Sequence, residues 1–349
     1  MKETLILTGG GTAGHVMPNL ALVPYLRDKF ELHYVGSPMG IERKLAENAG
    51  LYYHPISVVK LDRSRKLQNV AMPVKLLQAR AQAKALLKEI RPAAVFSKGG
   101  YVALPVALAA KCPLFIHESD YTMGLANKLV AKKAEAVFTS FENTASGRKN
   151  GVFTGSPIRR QLYQGSAERA RKELRFTAPL PTLLIIGGST GAKAINDCVY
   201  KCADTLANKF NIIHITGAGN EQSGIRHPNY RAIRFTEHIE DYFALSDLAV
   251  TRGGSGVLFE LAALKIPALV IPLPAGGASR GDQVLNAKYF SERGYVTMLE
   301  QSALTPATLA AELENLYRMR AKFAAALAGA KQVDGTRAIV EHMLGWLEK

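Results

Sequence analysis

Apolar positions along the chain follow two alternating rhythms. Nearly continuous apolar runs at residues 5–8, 32–35, 94–97, 114–117 and 136–139 have the character of strands buried on both faces. Between them, residues 16–29 and 124–133 carry apolar side chains at helical spacing. Strands separated by helices of about 10–15 residues predict βαβ units and a parallel sheet. The pattern then restarts. Residues 182–186 with Gly187, Gly188 and Gly191 repeat the opening run 5–8 with Gly9, Gly10, Gly11 and Gly14, and Gly187 lies 178 positions after Gly9. Residues 212–216, 248–251 and 267–272 continue as strands. The expected fold is therefore α/β, two Rossmann-like domains facing across a cleft. Their expected bounds are 1–160 and 161–335, and an amphipathic helix at 336–349 is a candidate to join the first domain.

Composition narrows the class. The chain has 349 residues, 48% hydrophobic and 21% charged, which excludes disorder as the dominant state. No uncharged apolar run reaches the roughly 18 residues of a spanning helix; the longest, 101–110, contains Pro105 and stops at Lys111. The opening residues hold too few apolar positions for a signal-peptide core, which predicts a cytoplasmic protein. Cys112, Cys198 and Cys202 fit neither a disulfide framework nor a usual zinc knuckle and are expected to be small buried hydrophobes. The net charge is +15, and residues 1–157 hold 21 basic against 11 acidic residues, or +10 of it. Such a half suits an anionic partner: nucleic acid, an acidic membrane or a phosphorylated substrate. No nucleic-acid motif or interleaved aromatic pattern supports the first.

Gly9, Gly11 and Gly14 satisfy G-x-G-x-x-G, the dinucleotide fingerprint, but that motif also needs an acidic residue ending the second strand. Here that strand ends in Gly36-Ser37-Pro38, and Glu31 sits at its beginning. A dehydrogenase is disfavoured. Three glycine turns at strand ends (9–14, 99–100, 187–191) still suit phosphates, which helix N-termini and close backbone approach attract. A fourth turn, Arg252-Gly253-Gly254-Ser255-Gly256, leads into a helix whose Glu260 is the only charge in residues 256–264. A carboxylate among apolar neighbours calls for a partner, and a ribose diol is one candidate.

Together these residues resemble the MurG family of UDP-N-acetylglucosamine–N-acetylmuramyl-(pentapeptide) pyrophosphoryl-undecaprenol N-acetylglucosamine transferases. The markers run the length of the chain: GGGTAGH (9–15), KGGY (98–101), HESD (117–120), GLANK (124–128), GGSTGA (187–192), Ser255 to Glu260 and GDQVLNA (281–287). The resemblance implies the GT-B glycosyltransferase fold, with UDP-N-acetylglucosamine on the second domain. Ser189 would meet the donor phosphates and Ile239 the uracil. Ser255, Gly256, Val257 and Leu258 would wrap the nucleotide, with Glu260 on the ribose and Gln283 and Asn286 on the sugar. Arg159, Thr12, Ala13 and Gly14 would complete the donor site. Gly10, Gly11, Lys98, Gly99, Gly100 and Tyr101 would take the lipid-linked acceptor. The chain departs from many members at Ala13, where they have Gly, and at Ser119-Asp120, where they have an amide pair.

The implied reaction inverts the anomeric centre in one in-line displacement, so it needs a base for the acceptor hydroxyl. His15 is the candidate, since an imidazole titrates near neutrality; the alternative is that it only binds acceptor or caps its helix. Asp120 or Glu118 would orient it, and His117 is expected to be structural. No Asp-x-Asp pair occurs, so neither a metal held that way nor a cofactor is expected. A membrane-bound acceptor implies a peripheral protein on the cytoplasmic face of the plasma membrane. Residues 60–91, with nine Lys or Arg and an apolar stripe (Leu76, Ala79, Ala83, Leu86, Ile90), are the candidate docking helix on anionic lipid. Rival readings are another GT-B enzyme, such as a diacylglycerol glycosyltransferase or UDP-N-acetylglucosamine 2-epimerase, and a non-catalytic nucleotide-binding module.

Overall fold

The computed structural model describes residues 2–58, 72–188, 191–220, 225–276 and 279–348. Ser189 and the basic residues Lys60, Arg63, Arg65 and Lys66 lie outside them. The chain divides into two units: residues 1–159 with 332–349, and residues 160–331.

The first unit holds strands β1 (Glu3–Thr8), β2 (Phe30–Gly36), β3 (Tyr52–Pro55), β4 (Ala94–Ser97), β5 (Leu114–Glu118), β6 (Ala136–Thr139) and β7 (Gly151–Phe153). They pair in the order β3-β2-β1-β4-β5-β6-β7, parallel throughout. Helices α1 (Ala13–Leu26), α2 (Ile41–Asn48), α3 (Met72–Ile90), α4 (Gly100–Ala109) and α5 (Leu125–Val130) are among its crossovers. One face of the sheet buries Leu5, Leu7, Leu22, Leu26 and Phe96 together with Ile339, Val340 and Met343 of the terminal helix Thr336–Leu347. The other buries Ile6, Val95 and Ile116 against Ala83 and Leu87 of α3 and Val106 of α4.

The second unit repeats the plan with β8 (Thr182–Ile186), β9 (Asn211–Ile215), β10 (Tyr230–Ile233), β11 (Leu248–Thr251), β12 (Ala268–Val270) and β13 (Thr297–Met298), ordered β10-β9-β8-β11-β12-β13 and again parallel. In each sheet the strand order reverses beside the first strand, between β1 and β4 and between β8 and β11. At such a switch point the connections leave to opposite faces and open a crevice at the carboxyl ends. The glycine turns of both halves lie there. Cys198 and Cys202 are buried in the second core, and Cys112 is half-buried in the first; all three are free thiols.

Candidate functional site

In the first unit, two strand ends build the site. Tyr34, fully buried on β2, donates its hydroxyl hydrogen to the Gly9 carbonyl at 2.8 Å and so anchors the turn after β1. Gly11 has φ +81°, and a Cβ there would stand 2.6 Å from the Tyr101 ring. The turn thus fits only glycine, and the aromatic ring closes over it. Thr12 holds the N-cap position of α1, yet its hydroxyl contacts His15 Nδ1 at 2.9 Å in place of a backbone amide. The Cδ2–Nε2 edge of the same imidazole faces Gly100, 3.3–3.4 Å from where a Cβ would be. Gly11, His15, Gly100 and Tyr101 therefore form one cluster. Thr12 and Gly14 are solvent-exposed.

Behind the cluster, Lys98 is buried at 3% exposure, and desolvation pulls its ammonium below the usual lysine range against the opposing charges of Glu118 and Asp120. Glu118 is not placed to orient His15. One oxygen accepts from the Asp120 amide (3.1 Å), and the other from the Gly124 amide (2.8 Å) and Asn127 Nδ2 (2.9 Å). Burial pushes its carboxyl up, with the Lys98 charge in opposition. Glu118 is a brace: through Asn127 it backs Gly99, where a Cβ would sit 2.6 Å from Asn127 Oδ1. His117 is wholly buried, its Nε2 against the Gly155 carbonyl at 3.3 Å, and burial holds it well below the usual imidazole range, hence neutral.

Sequence reasoning missed the buried carboxylate of Glu42. From the first turn of α2 it accepts the Gly11 amide at 3.1 Å, the Ser37 amide at 3.0 Å and the Ser37 hydroxyl. The Gly11 N–H is thereby spent inside the protein, and its expected role as an open donor to an acceptor anion is corrected. A Glu in a first helical turn is ordinarily a dipole partner, so the sequence carried no signal separating Glu42 from a surface residue.

In the second unit the turn after β8 brings Gly187 and Gly188 to the switch point, and the turn after β11 brings Arg252, Gly253 and Gly254. Ser255 begins the helix Ser255–Ala263. A Cβ on Gly254 or Gly256 would meet nothing within 4 Å, so there is open space beside the start of that helix. Val257 and Glu260 are partly exposed and Leu258 is buried. Arg252, another residue that sequence reasoning did not single out, is buried with Nη1 on the Ile271 carbonyl at 3.0 Å, and desolvation lowers its guanidinium. Asn286 is 1% exposed and donates to the Gly253 carbonyl at 3.1 Å, so it braces the turn where a sugar-reading role was expected. Gln283 accepts the Leu273 amide at 2.9 Å through Oε1. Ile239 opens the helix Ile239–Leu245. Arg159 ends the first unit after Ile158, whose amide donates to Thr336 Oγ1 at 2.8 Å.

Known proteins align with this arrangement from end to end. Residues 5–139 match the glycosyltransferase family 28 N-terminal domain and residues 182–343 its C-terminal domain. A curated UDP-N-acetylglucosamine–N-acetylmuramyl-(pentapeptide) pyrophosphoryl-undecaprenol N-acetylglucosamine transferase from Clostridium botulinum is 44% identical over 349 residues, 98% of either chain. Its namesake from Lachnoclostridium phytofermentans is 40% identical over 99% of both. Among solved structures, Acinetobacter baumannii MurG superposes with a TM-score of 0.75 at 25% identity, covering 98% of this chain and 99% of that one. The calicheamicin glycosyltransferase CalG4 shares the fold, with a TM-score of 0.71 at 14% identity over 100% and 99% of the two chains. Two parallel-sheet Rossmann-like units of the GT-B kind are thus the architecture, and the chain belongs to glycosyltransferase family 28, in the branch of the UDP-N-acetylglucosamine–N-acetylmuramyl-(pentapeptide) pyrophosphoryl-undecaprenol N-acetylglucosamine transferases.

Proposed function

We infer that the chain transfers N-acetylglucosamine from UDP-N-acetylglucosamine to undecaprenyl-diphosphate-linked N-acetylmuramyl-pentapeptide, with inversion, in peptidoglycan synthesis. The observation that carries this reading is the 44% identity to a curated transferase of that name over 98% of the chain, both units included.

The chemistry assigns roles to this chain's residues. For His15 Nε2 to take the acceptor hydroxyl proton it must be unprotonated, so Nδ1 carries the ring hydrogen and donates to Thr12 Oγ1. The hydroxyl oxygen then attacks the anomeric carbon, the bond to the UDP oxygen breaks, and the proton stays on the imidazole. The departing diphosphate charge falls to the start of the helix Ser255–Ala263, where amide dipoles converge. Ser189, outside the described residues, keeps the role the family resemblance implies, on the donor phosphates; Val257 and Leu258 wrap the nucleotide, Glu260 takes the ribose diol, Ile239 the uracil and Gln283 the sugar. Gly10, Lys98, Gly99, Gly100 and Tyr101 form the acceptor side, with Thr12, Ala13, Gly14 and Arg159 toward the donor.

A lipid acceptor requires a peripheral site on the cytoplasmic membrane face. The apolar stripe of α3 does not supply it, because Ala79 and Ala83 are buried and Leu76, Leu86 and Ile90 turn partly inward. Exposed apolar residues do occur at Val74 and Leu77 on α3 and at Leu125 and Leu129 on α5, two helices that both pack on α4. Lys75, Arg80, Lys84 and Lys128 stand exposed on the same helices. Among the described residues no helix is long and apolar enough to cross a membrane. The test of the whole reading is transfer of labelled N-acetylglucosamine by purified protein to a short-chain lipid-linked muramyl-pentapeptide. Transfer to diacylglycerol instead, or conversion of the donor without acceptor, would refute it.

A further inference from the structure

Glu42 is fully buried, and its side chain has been given unusual room. A Cβ on Gly10 would stand 2.5 Å from its carboxyl carbon, one on Gly40 2.3 Å from the same atom, and one on Gly36 2.8 Å from its Cγ. Three backbone segments, the turn after β1, the end of β2 and the entry to α2, therefore pack directly on one carboxylate. Its oxygens are divided between two clients. Oε1 takes the amide and hydroxyl of Ser37, whose carbonyl in turn accepts from the Tyr53 hydroxyl at 2.5 Å. Oε2 takes the Gly11 amide. The negative charge also reaches Tyr101, whose phenol is pushed up first by burial and then by Glu42.

A buried carboxylate costs several kcal/mol in desolvation unless its hydrogen bonds offset that cost. An apolar or amide side chain would fill the same space more cheaply if packing were all that mattered. The carboxylate offers what they lack, two acceptor atoms able to hold three donors at once. The Gly11 amide is the donor whose position matters most, because Gly11 lies between Tyr101 and the Thr12–His15 pair.

We propose that Glu42 is a positioning residue of the transfer reaction: it holds the Gly10–Gly11 turn by the Gly11 amide, and through that turn fixes His15 and Tyr101 where the acceptor hydroxyl is activated. The proposal rests on the transferase reading given above. Glu42→Gln has one acceptor oxygen and turns its NH₂ toward a former donor, so the turn loosens while the side-chain volume is kept. In a steady-state assay with UDP-N-acetylglucosamine and lipid acceptor, kcat should fall about 10- to 100-fold, the scale for a reacting group misplaced by ~1 Å. KM for UDP-N-acetylglucosamine should stay within about twofold of wild type, and the acid limb of the kcat–pH profile should stay in place, since Glu42 moves no proton. Ser37→Ala removes only the hydroxyl tether and should show the same signature with a several-fold loss, the scale of one hydrogen bond. Leu51→Ala, a cavity in the same unit, serves as a stability-matched control and should keep kcat at temperatures well below its Tm.

An unchanged kcat in Glu42→Gln and Ser37→Ala would overturn the proposal. So would an equal kcat loss in Leu51→Ala at equal loss of Tm, which would leave Glu42 a purely structural residue. Disappearance of the acid limb in Glu42→Gln would make it a proton carrier and overturn the positioning role. A wild-type chain that transfers nothing to the lipid acceptor refutes the transferase reading itself, and is thereby distinct from these outcomes.

Discussion

At the residue scale, the imidazole of His15 is set by two neighbours of different kinds. Thr12 addresses Nδ1 with a hydroxyl, and Gly100 lies against the Cδ2–Nε2 edge, where a Cβ would stand 3.3–3.4 Å from the ring. If Nε2 is the base, His15→Ala should lower kcat by the 10²–10⁴-fold typical of positioned proton transfer and flatten the acid limb of the rate profile. The KM for UDP-N-acetylglucosamine should barely move, because the nucleotide contacts are assigned to the second unit. Thr12→Val keeps the shape and removes the partner that stabilises the protonated ring, so the acid limb should move to lower pH. A raised acceptor KM with kcat and profile intact would make His15 a binding residue. Glu260 makes a separate prediction. If it holds the ribose diol, Glu260→Ala should weaken donor binding by about 1.5–3 kcal/mol, the scale of a hydrogen bond to a charged group, as calorimetry with UDP would record. Both residues stand out in the sequence, His15 because it follows the glycine turn directly and Glu260 because it is the only charge in residues 256–264. Glu42 does not, because it meets Gly11 from 31 positions away.

At the element scale, the part of the fold that escaped sequence reading has a common location. The strands β3, β7, β10 and β13 are the four outer edges of the two sheets. An edge strand is covered on fewer sides, so it lacks the uninterrupted apolar run by which a central strand of a parallel sheet declares itself. β3 is Tyr-Tyr-His-Pro with its ends exposed, and β13 is two residues long. The central strands β4, β6, β8 and β11, by contrast, have the bounds that the apolar runs predict. Helix α1 begins three residues before its apolar pattern, because its first turn, Ala13-Gly14-His15, faces solvent in part. A polar network does similar work in the second unit. His214 on β9 joins the Tyr230 hydroxyl (2.7 Å) and Asn196 Oδ1 (3.0 Å), while Asn196 Nδ2 donates to the Thr216 carbonyl at 2.8 Å. These bonds fix the helix Lys193–Ala207 that follows the second glycine turn. Burial lowers His214 from 6.5 to about 4. Above 6.5 it is neutral in folded and unfolded chains alike, and its stabilising contribution is complete. As pH falls from 6.5 toward 4, the unfolded chain takes up a proton that the folded chain refuses, and about 3 kcal/mol of stability is lost. Urea titrations at pH 7 and pH 4.5 should register that loss, and His214→Gln should reduce the pH dependence by this amount.

At the scale of the whole molecule, the chain passes from one unit to the other twice, near residue 160 and again near 331, and finishes in the unit where it began. The last helix buries Ile339, Val340 and Met343 in the first core and sets Trp346 edge-on to Phe115 at 5.8 Å. Three such side chains contribute roughly 1.5–3 kcal/mol each, which is most of a domain's stability. Truncation after residue 331 should therefore unfold the first unit and abolish transfer while UDP-N-acetylglucosamine binding by the second survives; retained transfer would show the helix to be dispensable. The charge asymmetry belongs to this scale too, with +10 of the +15 in residues 1–157. On the first unit, burial and then the charge of Arg80 on α3 lower the ammonium of Lys133 beyond α5. Lys133 spends its hydrogens on the Ala107, Leu108 and Ala110 carbonyls at the end of α4. Lys75, Arg80 and Lys84 stand exposed on α3 beside the exposed Val74 and Leu77 and offer charge to an outside partner. A surface of this kind binds anionic lipid through both terms, at about 1 kcal/mol for each basic residue near the headgroups. Flotation with anionic vesicles should show binding that weakens as salt shortens the Debye length from roughly 10 Å at 0.1 M. Replacing Lys75, Arg80 and Lys84 by Gln should weaken it about 100-fold, the sum of three such charges, while turnover on a water-soluble acceptor analogue stays unchanged. Equal binding to neutral and anionic vesicles would assign docking to the apolar residues alone, and Leu77→Ser with Leu125→Ser would then be the pair that abolishes it.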